Sequence, residues 1–255
     1  MNLEKKAFEL RKKVLDMCVR AGTGHVTSSF SCVEILATLY EVMVPNDRLV
    51  ISKGHCSPLV YAILADRGVI PQEDLDGFAK DKFGVHLQYN IPGVEITAGS
   101  LGIGLGIAAG MAYAKKLDRE SGTIYCLLGD GECYEGSIWE AAMFAGHHEL
   151  DNLVAIVDRN RLAVTDFTEN IIRLEPFIDK WKSFGWWATE IDGHSTEYIN
   201  MVLNWYIPFK KPKLIVADTI KGKGIPFMEN VPLWHGIAPS GEDAVKAQKL
   251  FEEEL

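Results

Sequence analysis

The sequence predicts an α/β fold built on a mostly parallel sheet flanked by helices. Three observations carry that prediction. Three apolar runs of strand length, "IYCLLG" (124–129), "NLVAIVD" (152–158) and "KLIVADT" (213–219), show no clear alternation, which suits parallel strands covered on both faces. Helical patterns lie between them, notably "SIWEAAMFAGHHEL" (137–150). A chain of 255 residues, 47% hydrophobic and 24% charged, has a full core's worth of apolar surface, so residues 1–255 read as a single domain.

The elements follow in order. Leu3, Ala7, Leu10, Val14, Met17 and Ala21 recur at helical spacing, and Gly22 is placed to end that helix. Ser31 followed by Glu34 has the form of a capping box, so a second helix is predicted over "CVEILATLYEVM". Between the two helices lies "GTGHVTSS", a glycine and hydroxyl loop containing His25. Ser137 and Glu140 form a second such box before the helix that separates the first two apolar runs. The acidic end "FEEEL" reads as the solvated last turn of a helix. There is no internal repeat, low-complexity tract or charged linker.

Composition excludes several classes of partner. A formal charge of −9 argues against nucleic acid and anionic membrane surfaces, which need a basic face. No run approaches the roughly 20 apolar residues of a membrane span, and the start "MNLEKKAFELRKK" lacks an apolar signal region. A cytoplasmic protein is expected. The cysteines (Cys18, Cys32, Cys56, Cys126, Cys133) are odd in number and form no CxxC pair, so neither a disulfide framework nor a zinc site is indicated.

In parallel sheets of this kind ligands bind beyond the carboxyl ends of the strands. That rule gathers the ends of "IYCLLGDG", "NLVAIVDRNRL" and "KLIVADTIKGKG" and makes Asp130 and Asn160 candidate neighbours. Both are oxygen donors at strand ends with one helix between them. A carboxylate and an amide oxygen, completed by phosphate oxygens and water, can hold Mg²⁺ on a diphosphate. Gly129 and Gly131 leave backbone N–H groups free to approach an anion. "GDG" alone is an ordinary turn, and Asn160 alone an ordinary loop residue; the matched strand ends give the pair its weight. "GLGIAA" fits a loose dinucleotide form, but no clean strand precedes it and its glycines can simply permit close packing.

"GDGECYEGSIWEAAMFAGHHELDNLVAIVDRNRL" resembles the thiamine-diphosphate motif of transketolases, which begins with GDG and closes on a metal-binding Asn. Further segments agree in the family's order. They are "GTGHVTSSFSCVEIL", "DRLVISKGHCSPLVYAIL", "HLQYNIPGVEITAGSLGIGLGIAAGMAYA" and "KGKGIPFMENVPLWHG", so that the resemblance runs from about residue 10 to about residue 240. It implies the diphosphate-binding (PP-type) domain of that family. It also implies that Asp130, Asn160 and the main-chain oxygen of Leu162 bind Mg²⁺ or Ca²⁺. Gly131, Lys221 and His235 would contact the diphosphate, with Lys53 and His55 nearby, and Gly99 and Leu101 would approach the aminopyrimidine through their backbones. Glu135 would tie the cofactor-activating glutamate across a subunit interface. His25, His55, His86 and His235 would line the mouth, bind substrate hydroxyls and move protons, work suited to a free pKa near 6.5.

Taken singly, each of these histidines reads as structural; their place in matching motifs reverses that. His147 and His148 lie beside no motif and read as packing or surface groups, and His194 reads as structural. Val26 and Ser100 depart from the family's usual residues near the mouth. A complete transketolase continues into further domains, and the activating glutamate belongs to the second. The resemblance therefore implies one subunit of a split transketolase, transferring a two-carbon ketol unit between sugar phosphates, with a separate pyrimidine-binding chain in an α₂β₂ assembly. Alternatives at this level are a ketol transferase with an unusual acceptor, a non-catalytic thiamine-diphosphate or Mg-nucleotide binding protein, and a 1-deoxyxylulose-phosphate synthase fragment.

Overall fold

The computed structural model describes residues 2–252. Five strands form one sheet: β1 (Arg48–Ile51), β2 (Ile124–Gly129), β3 (Leu153–Arg159), β4 (Trp187–Asp192) and β5 (Lys213–Asp218). Their spatial order is β1-β2-β3-β5-β4, and every pair is parallel. All of β2 and β3 is buried, as expected for strands covered on both faces. The predicted run 124–129 is β2, and the other two predicted strands agree to within a residue at each end.

Helices supply the covering layers: α1 (Leu3–Ala21), α2 (Val26–Phe30), α3 (Val33–Val42), α4 (Ser57–Asp66), α5 (Gly104–Asp118) and α6 (Gly136–His147) precede β3. After it come α7 (Thr168–Ile171), α8 (Phe177–Ser183), α9 (Thr196–Leu203) and α10 (Gly241–Lys249). The first helix runs as predicted. The Asn2 side chain accepts from the N–H groups of Glu4 and Lys5, and Gly22, at φ 68°, takes the left-handed turn that ends it. Its buried stripe of Ala7, Leu10, Val14 and Met17 packs on α3 and α4.

Three expectations need correction. Neither capping box forms, because each serine has a more distant partner: Ser31 Oγ donates to Asp158, and Ser137 Oγ to the Gly102 carbonyl. The helix predicted to run to residue 150 ends at His147, where the chain turns through Glu149 at φ 49°. At the carboxyl end, Phe251 is buried against Phe8 and Phe30 beyond the end of α10, so it belongs to the core and not to a solvated turn. Glu253, Glu254 and Leu255 of that prediction lie outside the described residues.

The sheet delivers chemistry to one edge. The chain leaves β1 into Ser52 and Lys53, β2 into Asp130, β3 into Asn160, β4 into His194 and β5 into Lys221. Register brings these together: Gly129 lies beside Asp158, and Arg159 beside Asp218.

Candidate functional site

A cavity of about 300 Å³ opens at these strand ends. It gathers His25, Lys53, His55, His86, Gly99, Leu101, Asp130, Gly131, Asn160, Leu162, Lys221 and His235, every predicted site residue except one. The exception is Glu135, which is exposed at the start of α6 and does not line the cavity.

The deep wall is ionic. Lys53 and Asp158 are fully buried and paired, and Asp158 also accepts from Ser31 and Thr219. Burial works against the charge of each partner, but their mutual attraction wins. The lysine is held above its usual range and the carboxyl below its own. Lys53 also donates to the Ser28 carbonyl at 3.0 Å, which anchors the His25 loop to the end of β1.

Asp130 sits at the end of β2 with 1% of its surface exposed. Its Oδ2 accepts from the Arg161 N–H at 2.6 Å and from Arg159 at 3.2 Å, and its Oδ1 from the Gly131 N–H at 2.8 Å. Burial outweighs the Arg159 guanidinium and pushes its pKa up to about 6. The carboxylate is therefore short of positive charge. Asn160 turns its amide nitrogen to Asp158 (3.3 Å) and its Oδ1 to the Leu162 N–H (3.1 Å), and Leu162 lines the cavity beside it. Among the described residues no three His, Cys, Asp or Glu side chains cluster to hold a metal by themselves. These oxygens thus fit a hard cation whose remaining ligands come from phosphate and water.

The residues present also fit a diphosphate. A Cβ added at Gly131 would lie 3.5 Å from the Ala163 Cβ, and one at Gly99 would lie 3.7 Å from His86. Both are ordinary contacts, so the room these glycines leave belongs to the cavity and not to packing. Lys221 is buried, with its Nζ 2.7 Å from His235 Nδ1. Burial and the neighbouring Lys53 lower its pKa to about 8, a shift that a bound anion would reverse.

Four imidazoles close the mouth. The His25 ring lies 5.5 Å from His55, 5.7 Å from His86 and 5.4 Å from His235. His25 Nδ1 is buried without a hydrogen-bond partner. Burial, helped by His86 and the two lysines, lowers the pKa of His25 to about 4; burial and Lys221 lower that of His235 to about 3. His55 is likewise held well below its usual value by burial and Lys53.

Three residues that hold this geometry were not among the sequence's candidates, and the first two carry no signal of their own. Glu132 is buried and clamps two loops together, accepting from Ser52, from the Gly102 N–H at 2.8 Å and from the Gly129 N–H at 3.0 Å. Arg159 joins Asp130 to Glu169 (2.9 Å) and Glu175 (3.0 Å). Asp158 could have been flagged as an acid closing an apolar strand. His147 and His148 lie at the end of α6, where His148 packs on Tyr113 and Phe144. All the cysteines are free and buried.

The fold and the cavity together define an α/β domain whose strand-end cavity suits a diphosphate and a hard cation. The sequence matches the family described as transketolase, thiamine diphosphate binding domain, over residues 4–251. It is 37% identical to an apulose-4-phosphate transketolase subunit of Phocaeicola vulgatus, over 99% of this chain and 95% of that one. It is 42% identical to the 6-deoxy-6-sulfo-D-fructose transketolase subunit SqwG of a Clostridium species, over 90% of this chain and 88% of that one. The transketolase of Campylobacter jejuni superposes with a TM-score of 0.89 at 32% identity, covering 98% of this chain and 43% of that one. The chain belongs to the transketolase family, as its thiamine diphosphate-binding domain. It spans less than half the length of that solved enzyme, and nearly all of the two relatives named as subunits.

Proposed function

We propose that this chain is the diphosphate- and metal-holding subunit of a split transketolase that moves a two-carbon ketol unit between sugar phosphates. The observation that carries this is the convergence of Asp130, Asn160, Lys221 and four imidazoles on one strand-end cavity. Asp130, Asn160 and the Leu162 main chain would hold Mg²⁺ or Ca²⁺. Lys221, His235 and Gly131 would hold the diphosphate, with Lys53 and His55 behind them, and Gly99 and Leu101 would face the aminopyrimidine. Thiamine diphosphate, when bound, supplies carbanion stabilisation. His25, His55, His86 and His235 orient the sugar hydroxyls and pass protons to and from them, work for which an imidazole can both donate and accept.

A second chain completes the site. The exposed position of Glu135 at the start of α6 suits a contact across a subunit interface and not one inside the cavity. Two relatives matched along nearly their whole length are named as subunits, which supports a pyrimidine-binding partner in an α₂β₂ assembly. No helix among the described residues is long and apolar enough to cross a membrane.

A native pull-down followed by an assay of ketol transfer from xylulose 5-phosphate to ribose 5-phosphate, with Mg²⁺ and thiamine diphosphate, tests the reading. A co-purifying chain that confers transfer is expected; full activity from the lone chain would refute the split. One observation favours a variant of the same chemistry. The two subunit relatives are named for apulose 4-phosphate and 6-deoxy-6-sulfo-D-fructose, so a specialised sugar is the second reading, and competition among acceptors in the same assay separates the two.

A further inference from the structure

Lys221 reaches the cavity only because the chain leaving β5 is held in one path. Four backbone groups fix that path: the Thr219 N–H donates to the Arg159 carbonyl (3.2 Å), the Gly222 N–H to the Thr27 carbonyl (3.0 Å), and the Lys221 carbonyl accepts from Asn230 (2.9 Å). The fourth is the Ile220 N–H, immediately before the lysine. It has a side-chain acceptor, His194 Nε2, at 2.9 Å.

That bond dictates the state of the ring. A nitrogen that accepts from an amide carries no proton, so the proton of the neutral imidazole is on Nδ1, where it donates to Glu34 Oε2 at 3.0 Å. Glu34 is itself held by both arms of the Arg11 guanidinium, at 2.6 and 2.9 Å. The same guanidinium donates to the Phe30 carbonyl at the end of α2, the helix that begins just after His25. Arg11 and Glu34, both buried, and the half-buried His194 thus form one chain between the loop carrying His25 and the loop carrying Lys221. The His194 side chain lines no part of the cavity.

We infer that His194 is a positioning residue of the cofactor site: its neutral imidazole, oriented by Glu34, holds the main chain at Ile220 so that Lys221 faces the diphosphate. This rests on the reading of Lys221 as a diphosphate contact. Removing the Nε2 acceptor leaves a backbone N–H without its partner and frees the residue before the lysine, and the loss of one such bond corresponds to about a tenfold loss of affinity.

Two substitutions dissect the ring. His194→Asn places an amide where Nδ1 was and keeps the Glu34 contact, but cannot reach Ile220. His194→Gln extends to the Nε2 position and can accept from it. Thiamine diphosphate binding is measured by calorimetry on the full chain at fixed Mg²⁺, with thermal melts alongside, for both variants and for Lys221→Met. His194→Asn is expected to bind about tenfold more weakly than the unaltered chain, His194→Gln within about twofold, and Lys221→Met at least as weakly as His194→Asn. Equal binding by His194→Asn and the unaltered chain, or equal losses in the Asn and Gln variants, overturns the positioning role. Unchanged binding by Lys221→Met, or no Mg²⁺-dependent binding by the unaltered chain with its co-purified partner present, overturns the reading of Lys221 and the inference with it.

Discussion

Glu34→Gln is expected to destabilise the folded chain by about 3 kcal/mol at neutral pH, and by progressively less in acid. Glu34 is 8% exposed and is held by Arg11 and His194. Burial pushes its pKa up, but the His194 hydrogen bond and the Arg11 charge outweigh burial and hold it at about 2, against an ordinary 4.5. At 1.36 kcal/mol per pH unit, that difference contributes about 3 kcal/mol to folding when both states are ionised. The folded carboxyl is the stronger acid, so its contribution is complete above pH 4.5 and is lost as the pH falls through 2. Near pH 3 about half should remain. In a domain of this size about 3 kcal/mol lowers the melting temperature by roughly 6–12 °C. Arg11, left facing an amide, adds a part that does not change with pH, so the decisive quantity is the change in the gap between variant and unaltered chain. Urea titrations at pH 7 and pH 3, followed by far-UV circular dichroism, read it directly. Coincident curves at pH 7, or a gap of the same size at both pH values, would mean that the ionised Glu34 does not stabilise the fold.

Lys53→Met leaves Asp158 buried without its partner and should cost about 3–5 kcal/mol by urea titration, with part of the loss recovered when Asp158→Asn is added. Gly131→Ala should melt like the unaltered chain, since its Cβ meets the protein only at 3.5 Å, yet bind thiamine diphosphate about tenfold more weakly by calorimetry. Gly104→Ala is the opposite case: its Cβ would collide with the Ser52 side chain, and a loss of about 1–3 kcal/mol is expected in the same melts. Asp130→Asn should abolish Mg²⁺-dependent uptake of the cofactor. Because burial raises the Asp130 pKa to about 6 from an ordinary 3.8, the ionised carboxyl penalises the metal-free fold above pH 6 and not below pH 4. The metal-free variant should therefore gain on the unaltered chain between pH 4 and pH 8, as followed by melting temperature.

The strands that continuous apolar runs revealed are the most buried ones, β2, β3 and β5, where apolar composition and position in the sheet agree. β1 has four residues, too few for a pattern, and β4 is a half-buried edge strand whose mixed residues satisfy neither template. The two capping boxes failed because a local motif cannot reveal that Ser31 meets Asp158, 127 positions away. Asp130 and Asn160 were legible from the strand-end rule alone. The histidines were not: His25, His55, His86 and His235 come from four separate loops and share no spacing, so only the resemblance to a known family brought them together. Glu132 and Arg159 act by bridging segments distant in sequence, and that function exists only once the sheet has aligned the strand ends.

The charges of the cavity are arranged so that the cofactor itself should tune the imidazoles. In the free chain burial is the main force holding His25 and His235 neutral, and the positive charges of Lys221 and Lys53 add to it. Lys53 is already matched by Asp158, whereas Lys221 points its ammonium group toward His235 without a salt-bridge partner among the described residues. A diphosphate against Lys221 cancels the repulsion and adds negative charge of its own. Both effects favour the imidazolium and move the two pKa values upward, toward the range in which a ring can both take and return a proton near neutrality. Histidine ring proton signals followed by NMR should therefore show His25 titrating near pH 4 and His235 near pH 3 in the free chain. Both midpoints should rise when thiamine diphosphate and Mg²⁺ are added, and less so in Lys221→Met. Midpoints that stay in place on cofactor binding would mean that burial alone governs these rings, and the proposed proton transfer would then have to fall to His86 or to another group.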